Sequence, residues 1–82
     1  MAMGEPKDLE EIMLVDPHDG IVDLDRHLDR LSAAADERGF RFDRHDARNE
    51  LQAATFGKKR RVTARLVLSP TGAMAIEVRE AD

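Results

Sequence analysis

The spacing of apolar positions changes character along the chain, and each change marks an element. From Leu9 to Val15 apolar and acidic residues are mixed, and the segment ends in Asp16-Pro17-His18-Asp19-Gly20. Pro17 drives Asp16 into extended conformation and Gly20 permits a reversal, so a strand followed by a tight loop is expected. Ile21 to Leu24 then continues the loop or forms a short returning strand. Leu24, Leu28, Leu31 and Ala35 recur at spacings of 4, 3 and 4, one stripe of an amphipathic helix, with Asp23 or Asp25 placed to cap its start. Gly39 stops this helix, and in the left-handed conformation it lets Phe40 fold back on the last turn. Asp43 is the next cap. The segment to Phe56 carries Ala47, Leu51 and Ala54 on one face with Arg44, Arg48 and Glu50 outside, and Gly57 ends it.

From Arg61 the period becomes two. Val62, Ala64, Leu66 and Leu68 point one way and Thr63, Arg65 and Val67 the other. Ser69-Pro70-Thr71-Gly72 has Pro and Gly where a type I turn followed by a bulge wants them. The last strand, Ala73 to Arg79, sets Met74, Ile76 and Val78 against Ala73, Ala75, Glu77 and Arg79. The order β-α-α-β-β predicts an α+β two-layer sandwich, an antiparallel sheet with two helices on one face. Its second face is left uncovered and needs a partner or must tolerate water.

Composition narrows this picture. Eighty-two residues without Trp, Tyr or Cys and with three Phe predict one thin-cored domain over residues 1–82, built on aliphatic side chains. The lack of cysteine excludes a disulfide scaffold, a cysteine zinc site and a thiol nucleophile. No apolar run approaches the ~20 residues that cross a bilayer and no signal-peptide core is present, so a soluble, cytoplasmic protein that uses no membrane is expected. The net charge of −4 hides an asymmetry: residues 1–50 carry fourteen acidic and seven basic side chains, residues 51–82 three and six. The surplus is the run Lys58-Lys59-Arg60-Arg61. Without interleaved aromatics or a basic helix to extend it, that run reads as a solvated loop and predicts no nucleic-acid partner.

Other candidate chemistry is sparse. His18, His27 and His45 lack neighbours at ligand spacing, so no metal site is expected, and His27 packs or hydrogen-bonds near the start of its helix. The Asp16–Gly20 loop lacks the closing glutamate of a calcium loop. Glu10, Glu11, Asp16 and Asp19 read as a solvated edge, with nothing to bury them as an acid-base pair. On spacing alone Arg30 is a surface arginine that pairs with the neighbours of Arg26 or with Asp29 and Glu37, and Arg65 is a cross-strand partner of Glu77.

Three segments taken together carry a resemblance: Glu11-Ile12-Met13-Leu14-Val15-Asp16, then Gly20 to Ala35 with its Arg26-His27-Leu28-Asp29-Arg30-Leu31 run, then Gly39-Phe40-Arg41-Phe42-Asp43, followed by the Arg61–Ser69 strand and its Gly-containing turn. Over nearly the whole chain this resembles the N-terminal domain of class IV aminotransferases, the fold type IV pyridoxal-phosphate (PLP) enzymes. The nearest likeness is to 4-amino-4-deoxychorismate lyase and the lyase-like portion of para-aminobenzoate synthase component I. The resemblance implies a place in para-aminobenzoate and folate biosynthesis, with PLP as the family's cofactor. It implies that Arg30 binds the PLP phosphate, through a fork of donors that stays charged, and that Arg65 faces a substrate carboxylate. The family's Schiff-base lysine, the acid on the pyridine nitrogen and the second phosphate loop lie in its larger C-terminal domain, and Glu80-Ala81-Asp82 falls where the linker to that domain begins. Lys58 and Lys59 do not replace that lysine, which needs a pocket that lowers its pKa. The chain is thus expected to supply one wall of an active site, to hold no PLP and catalyse nothing alone, and to partner a C-terminal PLP domain or a second copy. The alternative is a stand-alone α+β module that dimerises or docks through its exposed sheet face.

Overall fold

The computed structural model describes residues 7–81. Strand β1 (Leu9–Asp16) turns into the two-residue strand β2 (Gly20–Ile21), helices α1 (Leu24–Arg38) and α2 (Arg44–Thr55) follow, and strands β3 (Val62–Leu68) and β4 (Met74–Glu80) close the domain. All pairings are antiparallel and the sheet order is β2-β1-β3-β4. The α+β sandwich expected from the periodicity is present; of the segment Ile21 to Leu24 only Ile21, with Gly20, forms the returning strand, Val22 and Asp23 are a turn and Leu24 begins α1. Among the described residues no helix is long and apolar enough to cross a membrane.

Local chemistry explains most boundaries. The Asp16 carboxylate accepts from the backbone N–H of His18 (2.7 Å) and of Asp19 (3.0 Å) and so folds the β1–β2 turn onto itself. These two bonds hold the Asp16 carboxyl below its ordinary range. At the end of α1, Gly39 is left-handed (φ 73°), its N–H reaches back to Asp36, and the Phe40 N–H donates to the Ala35 carbonyl at 2.8 Å. That is the fold-back expected of Phe40, which packs on the core. Asp43 caps α2 through the Asp46 N–H. The start of α1 differs from expectation. Asp23 occupies the cap position but is left-handed (φ 55°), and its side chain makes no capping bond. Asp25 lies in the first turn, where its charge suits the helix dipole.

One face of the sheet meets both helices. Met13 and Val15 of β1, Leu28, Leu31 and Ala35 of α1, Ala47 and Leu51 of α2, and Val62, Ala64, Leu66 and Leu68 of β3 form the buried core. Met74, Ile76 and Val78 of β4 border it, half-buried. The helices are also tied at the surface, where Arg44 pairs with Asp29 (2.6 Å) and Asp25, and Arg48 pairs with Asp25. Among the described residues no helix covers the opposite sheet face, on which Ile12 stands 56% exposed.

Candidate functional site

Side-chain alternation along β1 decides where the chemistry falls. Leu9, Glu11, Met13 and Val15 turn toward the helices, so Glu10 and Ile12 turn to the open face. Glu11 is therefore drawn under α1, and its side chain is only 15% exposed. His27, one turn into α1 and 16% exposed, brings Nδ1 to 2.6 Å from Glu11 Oε1, where the ring N–H donates to the carboxylate. Arg30, the next residue on that side of the helix, sets Nε 3.5 Å from Glu11 Oε2. Glu11 does not lie on a solvated edge, as composition led us to expect. It shares the register of Met13 and Val15, and that parity was the sequence signal for its burial. The expectation for His27 holds.

Arg30 remains 60% exposed, and among the described residues its one ion pair is through Nε, so the two terminal nitrogens are unclaimed by carboxylate. It pairs with neither Asp29 nor Glu37, the charged partners expected on its own helix. Arg65 lies on the open face in the middle of β3, between Ile12 and Glu77. Its Nη2 is 2.8 Å from Glu10 and its Nη1 3.5 Å from Glu77. The cross-strand contact with Glu77 was legible in the sequence; the shorter one with Glu10, 55 positions away in the chain, was not. The hydrogen bond and charge of Glu10, reinforced by Glu77, outweigh desolvation and raise the Arg65 guanidinium above its ordinary pKa, so it is charged at every accessible pH. Arg65, Ile12, Thr63, Glu77 and Arg79 line a shallow depression on this face.

The two arginines are not brought together. Arg30 sits on the helix layer beside the β1 edge, and Arg65 lies on the opposite side of the sheet. Lys58 and Lys59 are exposed in the loop after α2, as expected, and the nearby Arg60 approaches Glu80 at 3.9 Å. Among the described residues no cluster of three or more His, Asp or Glu side chains is placed to hold a metal.

Arg30 offers a phosphate dianion unclaimed donors beside a half-buried imidazole, which fits one end of a PLP molecule. The described lysines, Lys7, Lys58 and Lys59, are all exposed and no burial desolvates them, so the residues fit the phosphate end of that cofactor and not its aldehyde. Neither a scan against protein-family models nor a search of curated proteins finds a match. Among solved structures, a Mesorhizobium loti protein named as a putative amino-acid aminotransferase superposes on 92% of this chain with a TM-score of 0.83 and 29% sequence identity. The chain spans 36% of that protein's length. The fold is therefore aminotransferase-like, and it corresponds to part of such a protein.

Proposed function

We propose that this chain acts as the small, N-terminal domain of a fold type IV PLP protein, most like aminodeoxychorismate lyase, and builds one wall of its active site. The likeness over 92% of the chain to about a third of an aminotransferase-like protein carries the reading. In it, the terminal nitrogens of Arg30 bind the cofactor phosphate while Glu11 holds the Arg30 Nε and the His27 ring in place. Arg65, on the other side of the sheet from Arg30 and on the face that no described helix covers, meets a substrate carboxylate away from the phosphate site. Bound PLP supplies an electron sink for charge developing on the substrate. This chain contributes orientation and charge, and the amine that would hold the cofactor covalently belongs to the larger partner domain. The lyase assignment, and with it para-aminobenzoate and folate biosynthesis, rests on the Arg26–Leu31 motif and the Gly39-Phe40 turn.

Trans-complementation tests this. The chain is mixed with the separately produced lysine-bearing domain of an aminodeoxychorismate lyase, PLP and aminodeoxychorismate, and aminobenzoate release is followed. Release is expected only when both polypeptides are present, and Arg30→Ala is expected to cost at least about tenfold, most of it recovered by raising PLP. Turnover by this chain alone, or no gain on adding it, overturns the proposal.

A further inference from the structure

Among the described residues strand β4 is the outer strand of the sheet, with β3 as its sole neighbour. The Ser69 N–H donates to the Ala73 carbonyl at 2.9 Å, and the Ala81 N–H to the Arg61 carbonyl at 3.1 Å. In an antiparallel pair the bonding residues alternate, so Ala75, Glu77 and Arg79 spend their backbone groups on β3. Met74, Ile76, Val78 and Glu80 aim theirs outward. Among the described residues no further strand takes them up. The strand contains no Pro or Gly and no bulge, the usual devices that blunt an edge. What it has is one pair of opposite charges on its open face, Glu77 and Arg79, which contact each other at 3.2 Å.

Those charges decide what the edge can pair with. A second copy of β4, added antiparallel about a two-fold axis, meets the strand in one of three central registers. An axis through Glu77 sets Glu77 against its own copy, which is repulsive. An axis through Ile76 leaves Glu77 and Arg79 opposite alanines and carries the pairing onto the hairpin end. There Arg41 already lies against the turn: its N–H points to the Pro70 carbonyl at 3.5 Å, and a Cβ at Gly72 would meet the Arg41 Cβ at 3.1 Å. An axis through Val78 opposes Glu77 to the partner's Arg79 and Arg79 to the partner's Glu77. It sets Val78 against its copy on the helix side and keeps clear of the hairpin.

The space beside this end of the strand fits the same arrangement. A groove of about 240 Å³ opens past the end of α2, walled by Lys58, Lys59, Arg60, Val62, Val78 and Glu80. With the axis at Val78, the partner's Ile76 lies opposite Glu80, on the helix side, and enters this groove next to Val78 and Val62. The symmetry repeats the contact for the other copy. We propose that two copies of this chain associate through β4, with the two-fold axis at Val78 and reciprocal Glu77–Arg79 pairs, to form one continuous eight-stranded sheet. The helix-side Arg30, to which the proposed phosphate role falls, lies away from β4 and takes no part in this contact, so this inference stands apart from that one.

Charge reversal with mixing tests it. Wild-type chain, Arg79→Glu and Glu77→Lys are compared by sedimentation equilibrium from about 10 μM to 1 mM, with circular dichroism to confirm the fold. Arg79 and Glu77 are exposed, so both variants are expected to fold. Arg79→Glu alone opposes carboxylate to carboxylate twice, and Glu77→Lys alone opposes cation to cation twice. Each is expected to weaken self-association by about 10- to 30-fold. An equimolar mixture restores both attractive pairs in the heterodimer and is expected to return association to within about threefold of wild type. A monomeric wild type across the whole range, association unchanged in the single variants, or no recovery on mixing each overturns the proposal.

Discussion

Removing the carboxylate of Glu11 is the most informative perturbation of the candidate site, because two side chains, His27 and Arg30, converge on it. The Glu11–His27 contact is 2.6 Å long, and both side chains are about five-sixths buried. A hydrogen bond to a charged group contributes about 1.5–3 kcal/mol when desolvated, and residual exposure of this pair brings the figure to about 1–2 kcal/mol. The Arg30 contact is longer and its arginine exposed, which adds about 0.2–1 kcal/mol. Glu11→Ala is therefore expected to cost about 2–3 kcal/mol, since it also leaves the imidazole donor without a partner under the helix. At about 0.05–0.15 kcal/mol per residue the whole domain has about 4–12 kcal/mol to lose, so the melting temperature should fall by about 10–20 °C. Urea titrations of wild type, Glu11→Ala, His27→Ala and the double variant close a thermodynamic cycle. The titrations are followed by far-UV circular dichroism, because the chain has no Trp or Tyr to report by fluorescence. A coupling energy of about 1–2 kcal/mol is expected. A coupling below about 0.5 kcal/mol, the scatter within which independent sites add, would refute the claim that Glu11 organises this cluster.

Two further outcomes test the fold that positions the site. The Asp16 pKa is lowered by two backbone N–H donors, so its carboxylate form favours the folded state. That contribution is complete above the ordinary value of 3.8 and disappears as pH falls through the lower folded-state value. Thermal melts should show wild type losing its advantage over Asp16→Asn as pH drops from about 5 to 2, with the two converging at the acid end; parallel curves would contradict this. Gly72 (φ 97°) faces Arg41 at 3.1 Å where a Cβ would lie, whereas Gly39 (φ 73°) has open space around it. Gly39→Ala should cost about 1 kcal/mol, the left-handed penalty alone, and Gly72→Ala about 2 kcal/mol, the excess being the displacement of Arg41. Equal costs in urea titrations would show that the hairpin is not braced by that segment.

What the sequence discloses here is what neighbouring residues decide among themselves. The Leu24–Ala35 stripe, the Gly39-Phe40 fold-back, the Asp43 cap and the hairpin at Ser69–Gly72 are all local, and each appears where its residues place it. The Arg65–Glu77 contact was legible for the same reason: the four-residue turn sets the register of β3 on β4. Strand order is a different matter. β1 lies between β2 and β3, and its pairing of Leu9 with Leu68 joins residues almost sixty positions apart. No turn fixes that register; it follows from which faces bury Met13 and Val15. Everything that depends on it was hidden, including the Glu10–Arg65 pair. The left-handed Asp23 was hidden too, because its conformation is dictated by how the chain leaves β2 and enters α1 and not by its own cap preference.

The Glu10-Glu11 dipeptide links both candidate arginines. Successive residues of a strand point to opposite faces, so one pair of adjacent carboxylates holds Arg65 on the open face and Arg30 on the helix side. The two arginines are not equally available. Arg65 is shared between Glu10 and Glu77, so a carboxylate ligand must displace one of two existing partners and gains only the difference between the bonds it makes and those it replaces. Arg30 spends only Nε on Glu11, and a phosphate approaching its terminal nitrogens displaces no carboxylate. A doubly charged ligand that offers several acceptors should thus bind first at Arg30, and binding at Arg65 should be the more selective of the two. On these terms the sheet separates a stronger, less specific anion site on its helix side from a weaker, more discriminating one on its open face, so each arginine answers to its own ligand and a titration with one leaves the other unchanged.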